Sequence, residues 1–275
     1  MPDRTNLIYR YDGSFDGLLT CVFESYARHE LPDAILSPDD AQTMLFESRR
    51  VETDYAKAER VLRGVMTKIS PEAADFIRMA HLSCVFERDR RILLFLKLGF
   101  NAGPGVMNML ADARVNALMS GVRYLEREAH HYMGFVRFTE IDGVLAAVIQ
   151  PKNRVLPLID PHFSDRFNAE RFIIHDAAHR CALMHMPGCS RIVALDELRV
   201  PVAGVRELEI QALWRKFHQT IAIEGRLNPQ LQRSNLPLRF RPFMTEFQPR
   251  ESAGEPIRKE IEPYEEGASR RLSAV

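Results

Sequence analysis

Apolar residues recur at helical spacing through most of the first 132 residues. The runs with this period are opened by Ser, Thr or Asp, which favour helix N-termini because their side-chain oxygens accept backbone N–H groups. The pattern predicts five helices at approximately 14–26, 53–69, 70–84, 89–99 and 112–131. Short strands are predicted at 7–11, 34–36 and 44–46. The first half of the chain is therefore predicted to be mainly helical.

The apolar pattern changes from helical to alternating after Gly134. Residues 135–140 alternate, and Asp142-Gly143 is a strong signal for a hairpin that returns through residues 144–149. Further elements are predicted as strands at 155–158, 171–176, 180–184 and 190–195, with a short helix at 161–167. A helix is the alternative for 180–184. Because parallel strands need long crossover connections and these connections are short, the pattern predicts an antiparallel sheet.

The final third of the chain returns to helical spacing. The predicted fold class is α+β, mostly helical with a central antiparallel sheet in the second half. We expect a single α+β domain over residues 1–247, with a mainly helical part (1–132), an antiparallel sheet part (133–200) and a helical C-terminal part (201–247). Residues 248–275 are rich in Glu, Arg, Ser, Gly and Pro and are predicted to form a disordered tail.

Charge and hydropathy limit the partners that the chain can have. Its 37 Lys and Arg residues balance 37 Asp and Glu residues, so the formal net charge is +0. Any nucleic-acid contact must therefore come from a local basic patch. No apolar run reaches membrane length, and the first residues lack the apolar core of a secretory signal. We expect a cytoplasmic protein that has no membrane partner.

The cysteines do not form a pattern that is typical of a metal or redox site. The four cysteines are Cys21, Cys84, Cys181 and Cys189. They form no CxxC pair, so we expect them to be small, buried hydrophobic side chains. The sequence also lacks a P-loop, a dinucleotide fingerprint and a nucleophile elbow. We therefore expect neither a bound metal nor a cofactor.

Polar side chains are concentrated between residues 132 and 185. His162, His175 and Asp176 are the candidates for acid–base or metal chemistry, since histidine titrates near neutral pH. The spacing His175-Asp176-x-x-His179 would suit a zinc-binding helix, but the preceding Phe172-Ile173-Ile174 favours a strand. No Glu follows the first His, so the metalloprotease motif is not met. Structural ion pairs are the alternative interpretation of these groups.

Arginines in the same stretch and near the end of the chain suggest phosphate binding, because guanidinium groups offer several donors to phosphate oxygens. The segment 233–241 adds an aromatic residue among basic ones and contains no acidic residue, a composition that suits base stacking beside a phosphate backbone. The alternative is a folded-back extension with solvated arginines. The candidate nucleic-acid-binding residues on this ground are Arg137, Arg166, Arg180, Arg239 and Arg241.

Several motifs resemble an uncharacterised family assigned to DNA metabolism or DNA repair. The resemblance covers approximately residues 7–247. The motifs that carry it are Tyr9-x-x-Asp12-Gly13-Ser14-Phe15-x-Gly17-Leu18-Leu19, Gly134-Phe135-x-Arg137-Phe138, Pro161-His162-Phe163-x-x-Arg166, Ile174-His175-Asp176, Leu213-Trp214-x-x-Phe217, Ile223-x-x-Arg226-x-Asn228 and Leu236-Pro237-x-Arg239-Phe240. The same module is similar to the N-terminal part of UdgX-type uracil-DNA-binding proteins. The resemblance adds Arg226 to the nucleic-acid-binding candidates.

This resemblance implies a DNA context and three kinds of partner: DNA, a radical-SAM DNA-repair protein and a uracil-DNA glycosylase-type protein. The chain lacks the three-cysteine radical-SAM motif and has no glycosylase domain after Phe247, so we expect both chemistries to belong to separate proteins. The leading hypothesis is a DNA-repair accessory protein that binds DNA. The second is a nucleic-acid-processing enzyme that uses His162, His175 and Asp176. The third is a protein–protein adaptor without DNA contact.

Overall fold

The computed structural model describes residues 5–38, 40, 46–198, 204–221, 225 and 228–248. Arg226 lies outside the described residues, and so does the predicted tail apart from Gln248. Contacts divide the chain into two units, Met1–Phe138 with Gly143–Leu198 and Thr139–Asp142 with Arg199–Val275.

The first unit begins with a small parallel sheet. Strands β1 (Leu7–Arg10), β2 (Ala34–Leu36) and β3 (Glu47–Arg50) pair in the order β2-β1-β3, and helix α1 (Phe15–Arg28) follows β1. The strands predicted at 7–11 and 34–36 are confirmed. The third strand was predicted at 44–46 but is polar and begins at Glu47; residues 44 and 45 lie outside the described residues. An exposed edge strand has no apolar alternation, which explains the error.

Four more helices follow and build the main core of the first unit. They are α2 (Tyr55–Lys68), α3 (Pro71–Leu82), α4 (Arg88–Ala102) and α5 (Ala113–Phe135). Side chains of Asp54, Ser70 and Asp112 accept backbone N–H groups at three of the N-termini. Ser70 was predicted as a cap and Asp54 was one of two candidates with Thr53, whereas Asp89, the predicted cap of the fourth helix, lies inside the first turn of α4. The predicted alternation from residue 135 was wrong there, because α5 continues through Phe135. Its buried positions keep helical spacing as far as Tyr132.

The second sheet contains β4 (Thr139–Ile141), β5 (Val144–Ile149), β6 (Phe172–Asp176), β7 (Cys181–Met186) and β8 (Cys189–Ala194), in the order β4-β5-β6-β7-β8. The α+β class is confirmed, and β6, β7 and β8 pair antiparallel as predicted. However, β5 and β6 pair in parallel, so the sheet is mixed. Helix α6 (Leu156–Arg166) supplies their crossover, and the strand predicted at 155–158 is the start of this helix.

Apart from β4, the described part of the second unit is helical. Helix α7 (Val205–Thr220) is followed by α8 (Pro229–Asn235) and by short 3-10 helices at Leu238–Phe243 and Thr245–Phe247. None of the described residues of α7 is buried. The Arg215 side chain donates a 3.2 Å hydrogen bond to the Thr245 carbonyl, which ties α7 to the last 3-10 helix. Within the described residues, no helix has the length and apolarity needed to cross a membrane.

The cysteines are less uniform than the sequence predicted. Cys21 is buried in α1, and burial raises the pKa of its thiol, so the buried hydrophobic interpretation holds there. Cys84 and Cys189 are exposed, and Cys181 is half-buried, so the prediction of burial was wrong for these residues. Cys84 follows α3 and Cys189 opens β8, where the chain turns at the surface.

Candidate anion-binding cleft

A cleft of about 650 Å³ lies within the first unit. Four separate segments line it. They are residues 34–38 and 40 in and after β2, residues 82–90 from the end of α3 to the start of α4, residues 152 and 154 after β5, and residues 178–180 in the turn between β6 and β7. The segments come together only in the folded chain. The cleft is therefore a site that neighbouring positions in the sequence could not reveal.

Positive charge exceeds negative charge on the walls of the cleft. Its five cationic side chains are Arg88, Arg90, Lys152, Arg154 and Arg180. Its three carboxylates are Asp40, Glu87 and Asp89, and His179 also lines the cleft. A concave wall of this kind concentrates the field of its charges and attracts anions, even on a chain whose net charge is +0.

A buried carboxylate from α5 holds the segment that carries Lys152 and Arg154. Glu128 is 1% exposed, and its two oxygens accept the backbone N–H of Lys152 at 3.1 Å, that of Asn153 at 2.8 Å and the Asn153 side-chain amide at 2.6 Å. The side-chain oxygen Oδ1 of Asn153 in turn accepts the Cys84 N–H at 2.8 Å. One buried glutamate thus fixes two walls of the cleft relative to each other.

A second buried carboxylate orients the wall formed by residues 82–90. Asp89 accepts a 2.6 Å hydrogen bond from the Tyr11 hydroxyl and a 2.8 Å hydrogen bond from Arg88 Nε, and His81 Nδ1 lies 3.5 Å away. Burial acts to raise the pKa of Asp89, but the adjacent His81, Arg88 and Tyr11 outweigh it and hold that pKa well below its usual range. Burial and the Asp89 carboxylate raise the pKa of Tyr11.

The turn between β6 and β7 is organised by Asp176. This residue is 0% exposed, and its Oδ1 accepts the backbone N–H groups of Ala178 at 3.0 Å and His179 at 3.1 Å. Its Oδ2 lies 2.7 Å from His179 Nδ1. Arg180 completes the turn with a φ of +51°, a conformation that few non-glycine residues adopt. His179 and Arg180 are thereby held at the cleft wall.

The structure separates the three acid–base candidates. His175 and Asp176 are adjacent on β6, so their side chains point to opposite faces of the sheet. His175 Nε2 lies 3.0 Å from the Leu195 carbonyl oxygen, whereas Asp176 pairs with His179. His162 is half-buried on α6, with its ring 5.0 Å from that of Phe163. The strand interpretation of 172–176 is confirmed.

The candidate arginines occupy different environments, and Arg180 lines the cleft. Arg137 donates to the carbonyls of Gly134 and Val136 at the end of α5. Arg166 is exposed, 5.8 Å from the centre of the Phe167 ring. In the second unit, the guanidinium groups of Arg239 and Arg241 lie 4.7 Å and 4.9 Å from the rings of Phe240 and Phe247.

Sequence reasoning missed most of the cleft. No sequence motif contains the cleft residues Lys152, Arg154, Arg88 and Arg90. The two walls that carry them are held together by the contacts of Glu128 and Asn153 described above. The Asp-x-x-His spacing of Asp176 and His179 was visible, but its zinc interpretation required a helix. Among the described residues, no cluster of three or more His, Cys, Asp or Glu side chains could hold a metal ion.

Comparison with known proteins gives a family without an assigned activity. No curated protein matches the chain. Residues 86–246 match a domain of unknown function, DUF4130, which covers more than half of the chain. This match includes all five residues that carry the cleft's positive charge and confirms that the family is an uncharacterised one. The chain therefore belongs to the DUF4130 family.

Proposed function

We propose that this protein is a DNA-binding accessory protein of DNA repair or DNA metabolism, and that it acts with a radical-SAM partner. The observation that carries the proposal is the excess of positive charge on the cleft wall, where five cationic side chains face three carboxylates. One of those carboxylates, Asp89, is already paired with Arg88. The radical-SAM partner and the repair context rest on the resemblance of the sequence motifs, and co-purification with such a protein tests that part.

Phosphate binding suits the residue types of the cleft. Arg180 is exposed at its wall, and the part of the chain that the structure describes offers its guanidinium no ion pair. Phosphate contacts by arginine and lysine supply most of the sequence-independent affinity of DNA-binding proteins. In the second unit, taken by itself, the guanidinium groups of Arg239 and Arg241 lie close to aromatic rings, and these two arginines remain separate candidates for phosphate contact.

The substitution Arg180→Ala is expected to weaken DNA binding about tenfold, which corresponds to the loss of one charge-assisted hydrogen bond of about 1.5 kcal/mol. Fluorescence anisotropy with labelled single-stranded and duplex oligonucleotides measures the effect at fixed salt. The matched control is Arg63→Ala, which removes an exposed arginine paired with Glu59 on α2. Absence of binding to every DNA form, or equal weakening by both variants, would contradict the proposal.

A nucleic-acid-processing enzyme is the second candidate, and one contact favours it. His179 lines the cleft while the buried Asp176 carboxylate lies 2.7 Å from its Nδ1, the arrangement that orients a histidine general base. The acid–base pair is then Asp176 and His179 in place of His162 and His175. Cleavage of the labelled oligonucleotides in the same samples, lost in His179→Asn, would favour this candidate over simple binding.

A further inference from the structure

Two neighbouring walls of the cleft present their polar groups on rigid supports. His179 and Arg180 lie in the turn that Asp176 organises, and Lys152 lies in the segment that Glu128 holds. We propose that this cleft binds the terminal phosphate of a nucleic-acid strand, a phosphomonoester carried by its last nucleotide. The inference rests on the proposed function and names the part of the DNA that the site recognises.

The contacts of His179 determine which ring nitrogen a ligand can reach. Asp176 Oδ2 lies 2.7 Å from Nδ1 and, as a buried carboxylate, accepts the hydrogen on that nitrogen. No hydrogen bond joins Nε2 to any residue that the structure describes, and the ring is on the cleft wall. Nε2 is therefore the ring nitrogen that a ligand can reach, beside Arg180 on the cleft wall. It donates to a phosphate oxygen in the imidazolium form, in which both ring nitrogens carry hydrogen.

The size of the cleft favours one nucleotide over a length of duplex. Its volume of about 650 Å³ falls within the roughly 300–1,000 Å³ that small-molecule sites occupy. A continuous duplex presents its phosphates on a convex surface and meets a protein along a groove or ridge. A strand end can instead place a single nucleotide and its phosphate inside a concave site.

The charge of the cleft favours a monoester over a diester. A terminal phosphomonoester carries about −1.5 to −2 charges at pH 7, since its second pKa is near 6, whereas each internal phosphodiester carries about −1. It also presents three terminal oxygens to donors. The cleft wall carries five cations and three carboxylates; Arg88 is paired with Asp89, and Arg90 lies 4.0 Å from Asp33. The excess of positive charge that is left on the wall gains most from the more highly charged group.

The backbone of the turn between β6 and β7 is also fixed without a ligand. Arg180 has a φ of +51°, and its carbonyl accepts the Leu195 N–H at 2.9 Å. Unfavourable backbone conformations of non-glycine residues persist where the surrounding structure fixes them, and such residues cluster at binding sites. Because the turn is already fixed, binding a phosphate requires little further ordering of the backbone.

The test uses the full chain and three duplex oligonucleotides of one sequence, with a 5′-phosphate, a 3′-phosphate or only hydroxyl ends. We expect one of the phosphorylated duplexes to bind at least about tenfold more tightly than the hydroxyl duplex, and the comparison of the two identifies the end. His179→Asn and Arg180→Ala should reduce this preference to near unity, while Arg63→Ala should retain it. Thermal unfolding verifies that each variant is folded.

The outcomes separate this inference from DNA binding itself. Equal affinity for all three duplexes would overturn the inference and leave DNA binding intact. If no duplex binds, the proposed function fails, and calorimetry with a nucleoside 5′-monophosphate and its 3′ isomer then decides the inference. Binding of either nucleotide that His179→Asn removes would support a phosphomonoester site, and absence of binding to both would overturn it.

Discussion

Replacement of Asp89 by alanine is expected to lower the free energy of unfolding by about 3–5 kcal/mol, the usual cost of removing one partner from a buried charge pair. Asp89 is 3% exposed, and the substitution would leave the Tyr11 hydroxyl and the largely buried Arg88 guanidinium without their acceptor. Urea denaturation measures the change. The matched control is Asp75→Ala on α3, whose carboxylate is exposed and paired with Arg78, and we expect it to change stability by less than about 0.5 kcal/mol.

The same carboxylate should make stability depend on pH in acid. Because the pKa of Asp89 is lower in the folded chain than in the unfolded chain, its contribution is present above the unfolded value near 4 and is lost as the pH falls further. The stability difference between the wild type and Asp89→Asn should therefore shrink below about pH 4. A difference that stays constant down to pH 2 would contradict the assignment of this pair.

Glu128→Ala is expected to destabilise the first unit by about 3 kcal/mol and to disorder the cleft wall that carries Lys152. The variant leaves three N–H donors of Lys152 and Asn153 without their acceptor, and each such buried donor costs about 1–3 kcal/mol. Glu128→Gln keeps two acceptor lone pairs on its remaining carbonyl oxygen and should cost less. Urea denaturation gives the stability change, and amide hydrogen exchange at residues 152 and 153 reports on the wall.

The control for this variant is on the same helix. Glu126 is exposed two residues before Glu128, so Glu126→Ala removes an equal charge from α5 without removing a buried acceptor. It should leave both the unfolding free energy and the exchange rates near their wild-type values. If the two alanine variants lost similar stability, the hydrogen bonds of Glu128 would not be the cause.

Local patterns accounted for most of the helices and for part of the second sheet. The apolar period was sufficient for α2, α3 and α5, and the capping residues Asp54 and Ser70 supported the first two, because both signals act over a few residues. Strand β3 was misplaced because it is polar and exposed. The parallel pairing of β5 and β6 was missed because the start of α6, Leu156-Pro157-Leu158, has too few residues to distinguish a helix from a strand.

The candidate site was likewise predicted where its signals were local in the sequence and missed where they depended on the fold. Asp176 and Arg180 were identified because they lie only four positions apart in one polar stretch. The structure places them at the two ends of one turn. The opposite walls were missed because Arg88 and Lys152 are far apart in the sequence. Their segments come together through tertiary hydrogen bonds, from the Cys84 N–H to Asn153 Oδ1 and from the Arg154 N–H to the Leu82 carbonyl. A sequence with a net charge of +0 gives no sign that its cations gather at one cleft.

The dependence of DNA affinity on salt tests the central claim most directly. Each phosphate contact to duplex DNA contributes about −0.9 to the slope of log Kobs against log salt concentration. If the cleft binds phosphate, the double variant Lys152→Ala, Arg180→Ala should bind more weakly and show a slope smaller in magnitude by about 2. A wild type that does not bind DNA, or a double variant with the wild-type slope, would contradict the claim that this cleft is the DNA-binding site.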